Sequence, residues 1–283
     1  MECYRLELVD ECERPLMRSV PCAYILTLHE TETFPWLHGV ARRTYVQRNR
    51  GFSCPKIGPD GSPIDRPNID IIHAYQTVFA TANSAVGDEA KAPVLVFEDD
   101  AIFTKTGKAD LAAVDRFVAT SRFSIYSLGS FGVMMPCAGG HWLLSGFGAA
   151  HAVVYSAHAR SVVLGAKPSK YAQVDASILA RMPGKFTYKR PIAYQKLDGR
   201  SANSAAWCFS CDGGIRDSIL RSFAGVGIGI LGLGTEGGWH TMYALQKILV
   251  FIPTVVIVFI VSLVFFGPYI GPYKGPYKLP YKG

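Results

Sequence analysis

The run Pro93-Val94-Leu95-Val96-Phe97-Glu98-Asp99-Asp100-Ala101-Ile102-Phe103 decides how the chain is read. Val94 to Phe97 is short, apolar and rich in β-branched and aromatic side chains, with a proline before it and acids after it. That is the pattern of a strand buried on both faces of a parallel sheet. Glu98, Asp99 and Asp100 then stand where the strand leaves the sheet, and open α/β sheets bind ligands beyond the carboxyl ends of their strands. Side chains alternate along an extended chain, so Glu98 and Asp100 share a face and Asp99 takes the other. Three adjacent carboxylates repel, and beside a core they require a cation or hydrogen-bond donors. Hard oxygen donors at this density suit Mg²⁺ or Mn²⁺, which keep several waters and bridge to phosphate oxygens. A solvated acidic turn, or acids favouring a helix N-terminus, is the structural alternative.

Upstream, Ala23 to Leu28 alternates and ends in His29-Glu30-Thr31, a first strand with a ligand-facing loop. Arg42, Arg43, Arg48 and Arg50 are expected on a helix and its exit, where they face either diphosphate or solvent. Gly51 to Pro67 is Pro-, Gly- and Asp-rich and reads as a loop. Ile71, Ile72, Tyr75, Val78 and Phe79 recur at helical spacing, which predicts a helix over 70–84 carrying His73. Downstream, a helix is expected over 109–120 and strands over 124–128 and 149–155, with a glycine- and aromatic-rich loop between them. A helix is expected over 156–164. Asp175 then occupies an N-cap or first-turn position. Residues 1–20 are charged and unpatterned, a leader or edge segment.

The totals bound the rest. The chain has 283 residues, of which 49% are hydrophobic and 18% charged, so it holds either a large core or a membrane segment. The net charge is +7, but Lys274, Lys278 and Lys282 lie in the tail, and nucleic-acid binding is not demanded. The cysteines at 3, 12, 22, 54, 137, 208 and 211 are odd in number and scattered, which favours reduced thiols. Cys208-Phe-Ser-Cys211 is a lone C-x-x-C, open to zinc, a local disulfide or incidental thiols. The first residues carry charge where a secretory signal would be apolar. Ile248 to Phe266 is uncharged over its whole length and reads as a transmembrane helix; a buried core helix is the other reading. Residues 223–234 are apolar but too short and glycine-rich to span. Gly267 to Gly283 repeats a Pro-Tyr unit with lysines that would face anionic lipid. These features predict a single-pass protein with its span near the C-terminus and a cytosolic catalytic domain. The expected segments are a leader over 1–20, a catalytic domain over 21–207, a juxtamembrane region over 208–247, a span over 248–266 and a tail over 267–283.

Several pieces fall in one order: Tyr24-Ile25-Leu26-Thr27-Leu28, Ile72-His73-Ala74-Tyr75, Leu95-Val96-Phe97-Glu98-Asp99-Asp100, Ala150-His151-Ala152-Val153-Val154-Tyr155-Ser156, Val174-Asp175, and Pro191 with Gln195 and Ser201. Across about residues 21–205 this succession resembles glycosyltransferase family 25, which includes lipooligosaccharide sugar transferases and collagen galactosyltransferases. The resemblance implies an α/β, GT-A type nucleotide-sugar-binding sandwich with a mostly parallel central sheet, and inverting transfer from a nucleotide sugar.

By the same resemblance Glu98 and Asp100 handle ribose and metal, His151 lines the cleft, and Asp175 lies on the acceptor side. The expected assignment is Asp175 as general base, with Glu98, Asp99, Gln195 and Ser201 contacting the nucleotide sugar. Asp100, Glu98 and His151 would hold Mn²⁺ or Mg²⁺. A packed strand histidine is the alternative for His151, and a helix N-cap the alternative for Asp175. The expected partners are a UDP-sugar donor, a glycan, glycolipid or glycoprotein acceptor, and a membrane. A metal-dependent nucleotidyl- or phosphotransferase, or an inactive membrane-bound glycan-binding protein, would use the same residues.

Overall fold

The apolar alternation seen in sequence becomes two cores on opposite faces of one sheet. The computed structural model describes residues 3–170, 174–196 and 231–266. Strands β1 (Tyr4–Glu11), β2 (Cys22–Thr27), β3 (Arg43–Asn49), β4 (Val94–Glu98), β6 (Ile125–Ser127), β7 (Phe131–Pro136), β8 (His141–Gly148), β9 (Ala152–Tyr155) and β10 (Lys185–Tyr188) form a nine-stranded sheet in the order β1-β3-β2-β4-β9-β6-β10-β8-β7. Short strands β5 (Ala101–Phe103) and β11 (Ala193–Gln195) pair separately as an antiparallel ribbon. Tyr24, Leu26, Val94 and Val96 face one core, while Ala23, Ile25, Leu95 and Phe97 face the other. A strand of period two buried on both sides has to split its side chains this way.

Helices close both layers. Helix α1 (Pro67–Asn83) sends Ile72, Tyr75, Val78 and Phe79 into the first core, alongside α3 (Ala157–Leu164), while α2 (Gly107–Thr120) sends Leu111, Val114 and Val118 into the second. Pro67 opens α1 with Arg66 extended before it, because proline fixes its own φ and disfavours α geometry in its predecessor. Ser156 caps α3 by accepting from Ala159 N at 3.2 Å.

The expectation of a mostly parallel sheet is corrected to a mixed one. Pairs β2/β3, β2/β4 and β6/β10 are parallel. Pairs β1/β3, β4/β9, β6/β9, β8/β10 and β7/β8 are antiparallel. Parallel neighbours need a long crossover. Between β6 and β9 the chain instead folds the glycine-rich stretch into the β7–β8 hairpin, so β9 returns reversed between β4 and β6. The loop expected over 129–148 is this hairpin. Likewise 4–11 is strand β1 at the sheet edge, the edge alternative to a leader, and Arg43 and Arg48 of the arginine cluster lie on strand β3 rather than on a helix.

The transmembrane expectation is also corrected. The apolar run 248–266 is not a separate element but the continuation of α4 (Glu236–Phe266). Its first turns are seated in the domain by Trp239 and Tyr243, both fully or almost fully buried. Among the described residues no helix is long and apolar enough to cross a membrane. The single-pass placement inferred from that run is overturned with it. The tail over 267–283 and the Cys208/Cys211 pair lie outside the described residues.

Helix α4 substitutes side chains for a missing neighbour of the hairpin. Tyr243 Oη accepts from Ser130 N at 3.1 Å and lies 2.9 Å from Thr187 Oγ1, and Gln246 Oε1 accepts from Gly132 N at 2.9 Å. Tyr243→Phe is therefore expected to leave a buried amide and a buried hydroxyl without this partner. The cost is about 1–3 kcal/mol, read as a lowered melting temperature by circular dichroism.

Candidate functional site

The carboxyl end of β4 leaves the large sheet at Glu98, turns through Asp99 and Asp100, and re-enters structure as β5 of the ribbon. Three acids diverge from this elbow toward different partners. Glu98 Oε1 accepts from Tyr75 Oη at 3.1 Å, from α1. Asp99 Oδ2 accepts from Thr27 Oγ1 at 2.7 Å, at the end of β2, and His29 Nε2 lies 3.9 Å from it. Asp100 Oδ2 accepts from Gln195 Nε2 at 2.7 Å, and the Asp100 carbonyl accepts from Lys196 N at 2.8 Å. Ribbon pairing of Ala101 with Gln195 is what brings Gln195 there.

A fourth acid joins from far along the chain. Asp175 sits in a π-helical turn, Val174–Ile178, and its Oδ2 accepts from Ala149 N at 3.0 Å. Ala149 has φ +69° and is the one non-glycine residue with positive φ among the described residues. Such backbone is costly for a residue with a Cβ and persists only where surroundings enforce it. The next two residues serve the same centre: the Ala150 carbonyl accepts from Tyr75 Oη at 3.2 Å and the His151 carbonyl from Glu98 N at 2.8 Å. Three consecutive residues thus hold Asp175, Tyr75 and Glu98.

The electrostatics follow from this convergence. Burial pushes the Glu98 carboxyl well above the usual carboxylate range, and the charges of Asp100, Asp175 and Asp99 push it further, against the Tyr75 hydrogen bond. Removing that charge should help the fold. Folding takes up a proton at Glu98 once pH exceeds its ordinary value of 4.5, so its contribution is full below that pH and is lost as pH rises toward the folded-state value. In metal-free protein Glu98→Gln is expected to raise stability by about 1–3 kcal/mol at alkaline pH and to change nothing at about pH 4. Melting temperatures with chelator at both pH values check this.

The expected site residues separate as follows. The charges of Asp100 and Asp175 both act on Glu98, and Gln195 joins through Asp100. Asp99, in the turn after β4, faces the β2 side, where it accepts from Thr27. His151 is wholly buried, with Nε2 3.4 Å from the Ala193 carbonyl and its ring edge-on to Trp239 at 5.0 Å. Burial lowers its pKa to about 4. Gly129 is required beside it, since a Cβ there would lie 2.0 Å from the Ala193 oxygen and 2.9 Å from His151 Nε2. Ser201 lies outside the described residues. Arg42 and Arg43 stand at the opposite end of the sheet: Arg43 is level with Cys22 at the start of β2 and pairs with Glu89, as Arg42 does at 3.5 Å.

Tyr75, Thr27 and Ala149 belong to the site yet were not singled out from sequence as functional residues. Tyr75 carried the signal of a core helix position and is one, with its hydroxyl reaching past the core to Glu98.

Among the described residues no set of three or more His, Cys, Asp and Glu side chains is gathered so that it could hold a metal ion by itself. The oxygens of Glu98, Asp100 and Asp175 are nevertheless hard donors. Mg²⁺ and Mn²⁺ are commonly held by one or two carboxylates, with water and phosphate oxygens completing the shell. The donor chemistry fits an ion shared with a phosphorylated substrate, and does not fit a closed protein cage. No family model matches this chain, and neither the curated proteins nor the solved structures contain a match.

Proposed function

We propose that this chain is a metal-dependent transferase that moves a sugar from a nucleotide-sugar donor to a hydroxyl acceptor. The observation that supports it is the meeting of Glu98, Asp100 and Asp175 at the end of a buried strand, where their charges raise the Glu98 carboxyl. Among the described residues, the charges that raise the Glu98 carboxyl are those of Asp100, Asp175 and Asp99, and the Tyr75 hydroxyl hydrogen-bonds to it.

In this reading Asp100 and Glu98 hold Mn²⁺ or Mg²⁺, which when bound neutralises charge developing on the departing diphosphate. Gln195 fixes the rotamer of Asp100, and Tyr75 fixes that of Glu98. Asp175, held by the Ala149 amide, accepts the proton of the attacking acceptor hydroxyl; general-base catalysis of this kind contributes about 10²–10⁴-fold. Asp99, tied to Thr27, faces the donor's nucleoside side. His151 packs as a neutral ring behind the Glu98 elbow rather than presenting a nitrogen to the ion.

A panel of UDP-sugars and other nucleotide sugars, incubated with the full chain and glycan acceptors, tests the reading. Nucleoside diphosphate release and a glycosylated product should require Mn²⁺ or Mg²⁺ and should stop with chelator. Release of nucleoside monophosphate and pyrophosphate would instead identify a nucleotidyltransferase. Glycan binding without donor binding in calorimetry would mark a non-catalytic protein.

A further inference from the structure

The fold contains a covalent tie that the cysteine count did not predict: Cys3 and Cys54 form a disulfide with Cα atoms 5.8 Å apart and a sequence separation of 51. It joins the residue before β1 to the loop over 50–66. That loop also buries a lysine. The Lys56 side chain is 5% exposed, as is that of Asp70, and Lys56 Nζ lies 2.5 Å from Asp70 Oδ1. Lys56 Nζ donates to Asn49 Oδ1 at 3.1 Å and to the Gly51 carbonyl at 2.7 Å, and it sits 4.8 Å from the centre of the Tyr4 ring. Tyr4, next to Cys3, donates to Asp70 Oδ1 at 3.1 Å, and its oxygen lies 2.8 Å from His73 Nδ1.

Two routes run from this knot to the acidic elbow. Asp70, His73 and Tyr75 lie on α1, and Tyr75 donates to Glu98. At the loop's root Gly51 faces Leu28, where an added Cβ would stand 3.9 Å from Leu28 Cδ2, and Leu28 follows the Thr27 that holds Asp99. The two sulfurs differ in access, Cys3 being half-buried and Cys54 buried. Of the free cysteines among the described residues, Cys12, Cys22 and Cys137, none takes part in the knot.

We propose that Cys3–Cys54 is a redox-controlled latch that pins the 50–66 loop and its buried Lys56, and through them keeps the acidic site in its binding geometry. The latch itself stands on the geometry above; its link to binding rests on the proposed transferase function. A dithiol opens it in two balanced steps. One thiolate of the reductant attacks Cys3 Sγ, the S–S bond breaks, and Cys54 leaves as a thiolate that takes a proton. The second thiol of the reductant then attacks the mixed disulfide, releasing Cys3 as a thiol and closing the reductant's own disulfide.

The test compares the full chain isolated without reductant, the same protein reduced with dithiothreitol and desalted under argon, and the Cys3→Ser/Cys54→Ser variant. A non-reducing digest should yield a Cys3–Cys54 linked peptide. In the reduced protein and in the variant, hydrogen-exchange protection over 50–66 should fall about a hundredfold, with that of β4 and β9 unchanged. Affinity for Mn²⁺ with a UDP-sugar should weaken about tenfold, and dithiothreitol should have no effect on the variant. Absence of the linked peptide, or unchanged exchange on reduction, overturns the latch. Opened exchange with unchanged affinity overturns its link to the site. If no form binds ion or sugar nucleotide, the proposed function fails and the exchange data alone decide the latch.

Discussion

Asp100→Ala is expected to lower kcat/KM for sugar transfer by about 10²–10³-fold, with a melting temperature close to that of the parent protein. The loss follows from its position at the elbow, where its carboxylate is aimed by Gln195 and adds to the field at Glu98. The fold should persist because the substitution removes the side-chain link to Gln195 but keeps the Asp100 carbonyl, which accepts from Lys196 N at 2.8 Å. Asp99→Ala provides the contrast. Its side chain turns to Thr27, away from the shared face, so a loss of less than about tenfold is expected, in line with a donor-side hydrogen bond. Steady-state kinetics with saturating Mn²⁺, beside thermal melts, separate the two. An Asp100→Ala protein with parental kcat/KM would leave the transferase reading without support.

Asp70→Ala is expected to cost about 3–5 kcal/mol of folding stability, because it leaves a buried ammonium uncompensated. Lys56 Nζ and Asp70 Oδ1 are 2.5 Å apart with both side chains 5% exposed, and Asp70 Oδ2 also accepts from Asn49 Nδ2 at 2.9 Å. Replacing both ions together, as Lys56→Met with Asp70→Ala, should recover much of that loss, since an apolar pair avoids desolvating either charge. Urea denaturation of the parent, single and double variants measures the coupling directly. A single variant within about 1 kcal/mol of the parent would show that Lys56 reaches solvent and that the knot beneath the disulfide is loose.

What was legible in sequence was local. The β4 run is apolar over successive residues because both faces of the sheet are covered, and α1 announces itself through Ile72, Tyr75 and Phe79. Strand alternation predicts Glu98 and Asp100 on one face and Asp99 on the other, whereas the chain leaves the strand after Glu98 and the turn sets the directions of Asp99 and Asp100. The missed elements are those whose partners lie far away. Strand β1 is an edge strand with most residues exposed, and its short alternation, Tyr4-Arg5-Leu6-Glu7-Leu8, is masked by the charges around it. Strand β3 looked helical and basic because its charges are neutralised by distant acids: Arg48 by Glu7 at 2.8 Å and Arg43 by Glu89. The β7–β8 hairpin was hidden by glycines at 132, 139, 140 and 146, all at positive φ, which read as loop punctuation. Pairing of Cys3 with Cys54 depends on β1 lying antiparallel to β3, which no local pattern specifies.

The acidic elbow is also the seam between two sheets, since β4 belongs to the nine-stranded one and β5 to the ribbon with β11. Glu98 therefore closes the nine-stranded sheet, while Asp99 and Asp100 are the two residues of turn that join it to the ribbon, with Asp100 tied to the ribbon by Gln195. A tilt of the ribbon would turn Asp100 relative to Glu98 without stretching a bond. In the proposed transferase, ion radius and ribbon angle would then be a single variable, and swapping a smaller cation for a larger one would be felt as far away as Pro191.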